Sequence, residues 1–105
     1  EAGRRTKTSV VVHAWGGAAA IMASYHAAFA AGGKLVEFPM LYFPLAEEMI
    51  GDQGKIVDGR LLKPTAPGLG LTLTSEMEAR YPFDETAVYS CVLNDWGPPP
   101  DDYWK

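Results

Sequence analysis

Two side chains that can move protons follow short apolar runs, at the points where predicted strands end. His13 comes directly after residues 10–12, and Glu37 comes directly after residues 35–36. A histidine can act as a general base near neutral pH. A nearby glutamate can be its ion partner, a hydrogen-bond donor when protonated, or a second acid–base group. Position alone leaves a plainer interpretation open, in which His13 hydrogen-bonds its own loop and Glu37 is solvated.

The elements that would position these two side chains are those of a βαβ unit. Residues 9–12 and 34–38 are short runs that predict strands, the first of them buried on both faces. The alanine-rich residues 18–31 predict a helix that Gly32 and Gly33 end. Its larger apolar side chains recur at helical spacing: Ile21, Met22, Tyr25 and Phe29. Both strands of such a unit end on the same edge of a sheet, so we expect His13 and Glu37 to share one rim.

The rest of the chain predicts short elements separated by turns. Residues 45–50 predict a short helix, and Asp58-Gly59 between two short apolar runs predicts a hairpin. Thr74 or Ser75 can cap a helix over residues 76–81. We therefore divide the chain into residues 1–50 with the βαβ unit, residues 51–82 with the hairpin and a Pro/Gly-rich return, and an acidic Pro/Trp-rich tail at 83–105.

Composition excludes several classes of protein. The chain has 105 residues and one cysteine, Cys91, and a single cysteine excludes a disulfide scaffold. Its net charge of −4 argues against nucleic-acid binding. No apolar run reaches the ~18–20 residues that span a bilayer, and we expect no signal peptide at the first residues. We expect a cytoplasmic protein with no membrane partner. One βαβ unit cannot cover both faces of its own sheet, so we also expect the chain to be a piece of something larger.

Three further residues are weaker candidates for a site. His26 lies in mid-helix without a partner at ligand spacing, so we expect it to be packed or half-exposed. Cys91 is expected to be a buried structural thiol. Trp15 could line a substrate pocket or belong to the core.

The chain resembles the C-terminal part of the enolase superfamily, and most closely its mandelate racemase-like branch, which includes many sugar-acid dehydratases. The resemblance covers roughly residues 13–81 and rests on an ordered series of motifs: Val11-Val12-His13-Ala14-Trp15-Gly16, a helix carrying His26, Leu35-Val36-Glu37-Phe38-Pro39, Pro44-Leu45, Asp58-Gly59 and Pro67-Gly68-Leu69-Gly70-Leu71. It implies an α/β fold, a modified TIM barrel with an N-terminal capping domain. Residues 10–12 and 35–37 would be barrel strands seven and eight, followed by the return to the capping domain.

The resemblance also implies a chemistry. In that family Mg²⁺ on three acidic residues holds a substrate carboxylate while a base removes the proton next to it. His13 matches the base or acid at the end of strand seven. Glu37 matches the glutamate of strand eight that hydrogen-bonds the substrate carboxylate, best as the neutral acid. The Mg²⁺ ligands and the aspartate that pairs with the histidine are expected outside this segment, so the segment alone is expected to be inactive.

The function expected from this resemblance is that of a Mg²⁺-dependent lyase, a dehydratase acting on a sugar acid. Its partners would be the remaining barrel and capping domain, a carboxylate-bearing small molecule, and further copies of the chain in a homo-oligomer. Trp15 would line the binding site of the small molecule. One alternative is an isomerase, a racemase of a 2-hydroxy acid. Another is a non-catalytic module that binds a partner through the Pro/Trp-rich tail. A dependent segment should expose a large apolar patch where neighbouring strands belong, whereas a module should not.

Overall fold

The computed structural model describes residues 1–39 and 43–86. In chain order these form α1 (Ala2–Thr6), α2 (Ala18–Ala31), α3 (Pro44–Ile50), a 3-10 turn (Gly51–Gly54), β1 (Ile56–Val57), β2 (Arg60–Leu61) and α4 (Ser75–Arg80). The three helices predicted from the sequence are confirmed to within one residue at each end. Cys91 and most of the tail proposed at 83–105 lie outside the described residues.

Helix α2 is the longest described element and ends as its sequence predicts. Gly32 has a φ of 69°, in the left-handed region that glycine adopts without a steric penalty. Its N–H and that of Gly33 donate to the carbonyls of Phe29 and Ala28, which closes the last turn. None of the described helices is long and apolar enough to cross a membrane.

The core lies between α2 and α3. Its buried side chains are Ala14, Ala18, Ile21, Met22, Tyr25, Ala46 and Ile50. The predicted apolar stripe of α2 is confirmed for Ile21, Met22 and Tyr25. Phe29, the fourth residue of the stripe, is 39% exposed. The core cluster reaches along α2 only as far as Tyr25, and Phe29 lies one turn beyond it.

The two predicted strands on either side of α2 are reduced to one parallel bridge between Val12 and Val36. Their order and parallel direction agree with the predicted βαβ unit. The predicted burial of the first strand is wrong, because Val10 and Val11 are each 46% exposed, and Leu35 in the second is 68% exposed. The reason is that a single bridged pair builds no sheet face that other described residues could cover. The described residues show no barrel, so the assignment to strands seven and eight stays a prediction.

The predicted hairpin is confirmed. Strands β1 and β2 pair in antiparallel register, and both turn residues between them have positive φ, 51° at Asp58 and 69° at Gly59. This pair of left-handed residues is what a two-residue turn requires if its twist is to match the strands.

Side-chain hydrogen bonds fix the segments on either side of this hairpin. The Oε1 atom of Gln53 accepts from the backbone N–H groups of Thr65 and Ala66, at 2.9 Å each. Helix α4 is tied to α3 through Glu48, whose carboxylate accepts from Arg80 Nη1 at 2.7 Å and from the Tyr81 hydroxyl at 2.7 Å. Polar contacts therefore hold the return segment to the 3-10 turn and hold α4 to α3.

Candidate functional site

The parallel bridge sets His13 and Glu37 side by side. Val12 pairs with Val36, so the residue after each bridged position falls at the same edge. His13 Nδ1 lies 2.5 Å from Glu37 Oε2, a hydrogen-bonded pair. The prediction that these two side chains share one rim is confirmed.

A second donor fixes the carboxylate of Glu37. Its Oε2 atom also accepts from the backbone N–H of Ala14, at 3.1 Å. The hydrogen bond from His13, then that from Ala14 and the nearby charge of His13, lower the pKa of Glu37 below its ordinary value. Glu37 is therefore ionised at neutral pH. This favours the ion-partner role over the neutral-acid role that the resemblance implies.

Ionisation of Glu37 decides which nitrogen of His13 carries a proton. An ionised carboxylate can only accept hydrogen bonds, so Nδ1 of His13 must be the donor. In the neutral imidazole the free lone pair then lies on Nε2. The side chain of His13 is 77% exposed and that of Glu37 48%, so solvent and small molecules reach the pair. The arrangement can take up a proton at Nε2 while Glu37 holds the ring.

Helix α2 holds the backbone of the same residue. The hydroxyl of Ser24 donates to the carbonyl oxygen of His13 at 3.0 Å. Sequence reasoning did not identify Ser24 or the Ala14 N–H as part of the site. A serine within an alanine-rich helix was the only signal for the first, and a backbone amide leaves no signal in side-chain types.

The structure places Trp15 beside Phe43, the residue that precedes α3. The two ring centroids are 6.2 Å apart and the rings are nearly perpendicular, an edge-to-face contact. Trp15 remains 38% exposed. Its role in lining a substrate pocket stays a prediction.

The second imidazole belongs to the helix and not to this rim. His26 is half-buried, as expected, and its Nε2 atom is buried without a hydrogen-bond partner among the described residues. Within residues 1–39 and 43–86, no group of three or more His, Cys, Asp or Glu side chains could hold a metal ion. The expectation that the Mg²⁺ ligands lie outside this segment stays a prediction.

A cleft that the sequence did not predict opens beside α2. It has a volume of about 630 Å³ and is lined by residues of α2, α3, the 3-10 turn and the hairpin, together with Phe38. Tyr25 lines it as well, although its spacing on α2 predicted only a core role. The cleft depends on how α3 and the hairpin pack, which no local pattern specifies.

Comparison with known protein families, with curated proteins and with solved structures finds no match to this chain.

Proposed function

We propose that this chain supplies the proton-transfer pair of an enzyme that removes the hydrogen next to a carboxylate. The observation that carries the proposal is the contact between His13 Nδ1 and Glu37 Oε2 at the end of two parallel segments. That edge is where catalytic groups gather in parallel α/β folds. The resemblance to the enolase superfamily supplies the substrate class, a sugar acid, and the reaction, a dehydration.

Each side chain has a separate task in this reaction. The C–H bond next to the carboxylate breaks, its proton goes to His13 Nε2, and its electron pair stays on the substrate as an enolate. Glu37 holds the Nδ1 proton and stabilises the imidazolium that forms. As the enolate collapses, the C–O bond to the neighbouring hydroxyl breaks, and the imidazolium returns the proton to the departing oxygen as water. The product is the enol of a 2-keto acid.

Exposed apolar side chains favour a chain that works within a larger sheet. Val10, Val11 and Leu35 lie in the parallel segments, and all three are at least 46% exposed. Parallel strands are normally buried on both faces. This exposure counts against an independent module and supports a remaining barrel and capping domain as the partner. These would also have to supply any Mg²⁺ site.

The test begins with the protein tagged and purified from the cells that produce it, under native conditions. Its native mass is compared with its denatured mass, and the preparation is then incubated with Mg²⁺ and a panel of sugar acids deuterated next to the carboxylate. We expect a native mass well above 11.4 kDa. We also expect exchange of deuterium into water and loss of water from at least one acid.

Matched variants separate the proposed pair from general damage. His13→Asn should lower exchange by roughly 10²–10⁴-fold, the usual contribution of a general base. Glu37→Gln should lower it by up to about 10⁴-fold, since the ring loses its charged partner and the amide can favour the other tautomer of His13. The controls His26→Asn and Glu78→Gln remove an imidazole and an exposed carboxylate elsewhere, and should leave the rate unchanged. Full activity in His13→Asn, or no exchange with any acid, would overturn the proposal, whereas exchange without loss of water would indicate a racemase. A folded, inactive 11.4 kDa monomer would favour the partner-binding module.

A further inference from the structure

The cleft beside α2 has the dimensions of a small-molecule site. Its volume of about 630 Å³ lies within the roughly 300–1,000 Å³ typical of ligand pockets. Neither His13 nor Glu37 lines it, although Phe38, the residue after Glu37, does. It is therefore separate from the proton-transfer pair, and a ligand bound there does not depend on the proposed function.

The inner wall of the cleft is apolar. Three aromatic side chains line it: Tyr25 of α2, Phe38 of the segment after the bridge, and Phe43, which precedes α3. Ile21 and Ile50 add aliphatic surface to the lining. A ligand that fits this wall needs an apolar or aromatic body.

The charged groups around the cleft are mostly negative. Among the described residues that line the cleft, Glu47 of α3, Asp52 of the 3-10 turn and Asp58 of the hairpin turn contribute three carboxylates, and Lys55 contributes one ammonium group. Such a distribution attracts cations and repels anions. A sugar acid, the substrate class proposed for His13 and Glu37, is therefore a poor ligand for the cleft.

One polar group in the wall is unpaired. Tyr25 is only 2% exposed and lines the cleft, and its hydroxyl has no hydrogen-bond partner among the described residues. Burial, together with the negative charge of Glu47, raises the pKa of Tyr25 to about 12, so the group is a neutral phenol at physiological pH. The hydroxyl oxygen can accept a hydrogen bond from an N–H donor.

We propose that this cleft binds an organic ammonium ion with an apolar body. The body lies against the aromatic wall, and the ammonium group donates to the Tyr25 hydroxyl oxygen and to the Glu47 carboxylate. Hydrogen bonds of this kind between charged groups are about twice as strong as neutral ones. The charge of the cleft, its apolar wall and the unpaired phenol all select for the same ligand chemistry.

The test measures binding of three probes that share a phenyl ring and differ in charge. They are 2-phenylethylammonium, the neutral 2-phenylethanol and the anion 3-phenylpropionate, each titrated into the whole chain by calorimetry at low salt. We expect the ammonium ion to bind at least about tenfold more tightly than the alcohol, a difference of roughly 1.4 kcal/mol. The anion should bind more weakly than either.

Substitutions locate the ammonium group. Glu47→Gln should weaken binding of the ammonium ion by about tenfold and leave the alcohol unchanged. Tyr25→Phe keeps the ring and should weaken binding of the ammonium ion by several-fold. Glu78→Gln, a matched loss of charge on exposed α4, is the control and should change neither, while circular dichroism checks that each variant is folded. Equal affinity for all three probes would mean that the cleft is an apolar surface that does not select for charge, which would overturn the proposal. No binding of the ammonium ion at 10 mM, or an unchanged affinity in Glu47→Gln, would also overturn the proposal.

Discussion

The titration of Tyr25 should lower the free energy of unfolding as the pH rises above 10, and Tyr25→Phe should remove this contribution. Tyr25 of α2 is buried in the wall of the cleft, and its pKa is raised from 10.0 to about 12 in the folded chain. In the unfolded chain the phenol returns to the ordinary value. The folded state therefore holds this proton more tightly than the unfolded state does.

The size of the effect follows from the shift. Below pH 10 the phenol is protonated in both states, and its contribution to the free energy of unfolding is fully present. Between pH 10 and pH 12 only the unfolded state loses the proton, so stability falls by about 1.4 kcal/mol per pH unit, or roughly 2.7 kcal/mol in all. Domains of this size are stable by about 5–15 kcal/mol, so the loss is large enough to measure.

Urea denaturation at pH 9, 10 and 11 tests this expectation on the wild type and on Tyr25→Phe. The chain has five tyrosines, and the other four titrate in both proteins, as do the lysines, so the difference between the two isolates Tyr25. From pH 9 to pH 11 the wild type should lose about 1.4 kcal/mol of unfolding free energy relative to Tyr25→Phe. A difference that stays constant with pH would mean that Tyr25 ionises normally and is not desolvated. The burial on which the cleft proposal depends would then be wrong.

Three further substitutions test the packing and the turns, each by urea denaturation at neutral pH. Met22→Ala should cost about 2–5 kcal/mol, because Met22 is fully buried and leaves a cavity, and a loss below about 1 kcal/mol would place it outside the core. Thr74→Ala should cost about 1 kcal/mol by removing the side-chain cap on the Met77 N–H, whereas Thr74→Ser should be nearly neutral. Gly70→Ala should cost at least about 1–2 kcal/mol, because φ is 71° and the new Cβ would lie 2.9 Å from Gln53 Cγ. An unchanged midpoint in Gly70→Ala would show that the return segment has another backbone conformation.

Local signals predicted the helices and the hairpin of this chain. Alanine content and the glycine at position 32 set α2, and the Asp58-Gly59 pair set the turn between β1 and β2. These features depend on residues close in sequence, where propensity and turn geometry decide. The burial of residues 9–12 was predicted wrongly because it depends on what covers them, and a β-branched run carries no information about its neighbours.

The site was predicted in part for the same physical reason. Parallel direction and the connection through α2 are enough to bring His13 and Glu37 to one rim, and both follow from the order of the elements. The hydrogen bonds from Ala14 and Ser24 depend on atomic positions in the loop after the first segment. The cleft depends on packing between α3 and the hairpin, which lies beyond any local pattern.

The protonation state of Glu37 connects the observed pair with the chemistry that the resemblance implies. Nδ1 of His13 carries one proton, which can be donated to one carboxylate at a time. Glu37 accepts it in this chain, and that hydrogen bond is the first cause of its lowered pKa. An aspartate supplied by the expected remainder of the barrel would compete for the same proton. If it took the proton, Glu37 would lose its main stabilising donor, its pKa would rise, and it could become the neutral donor that a substrate carboxylate needs. If such an aspartate is present, the partner of Nδ1 would decide between the ion-partner and neutral-acid roles proposed for Glu37.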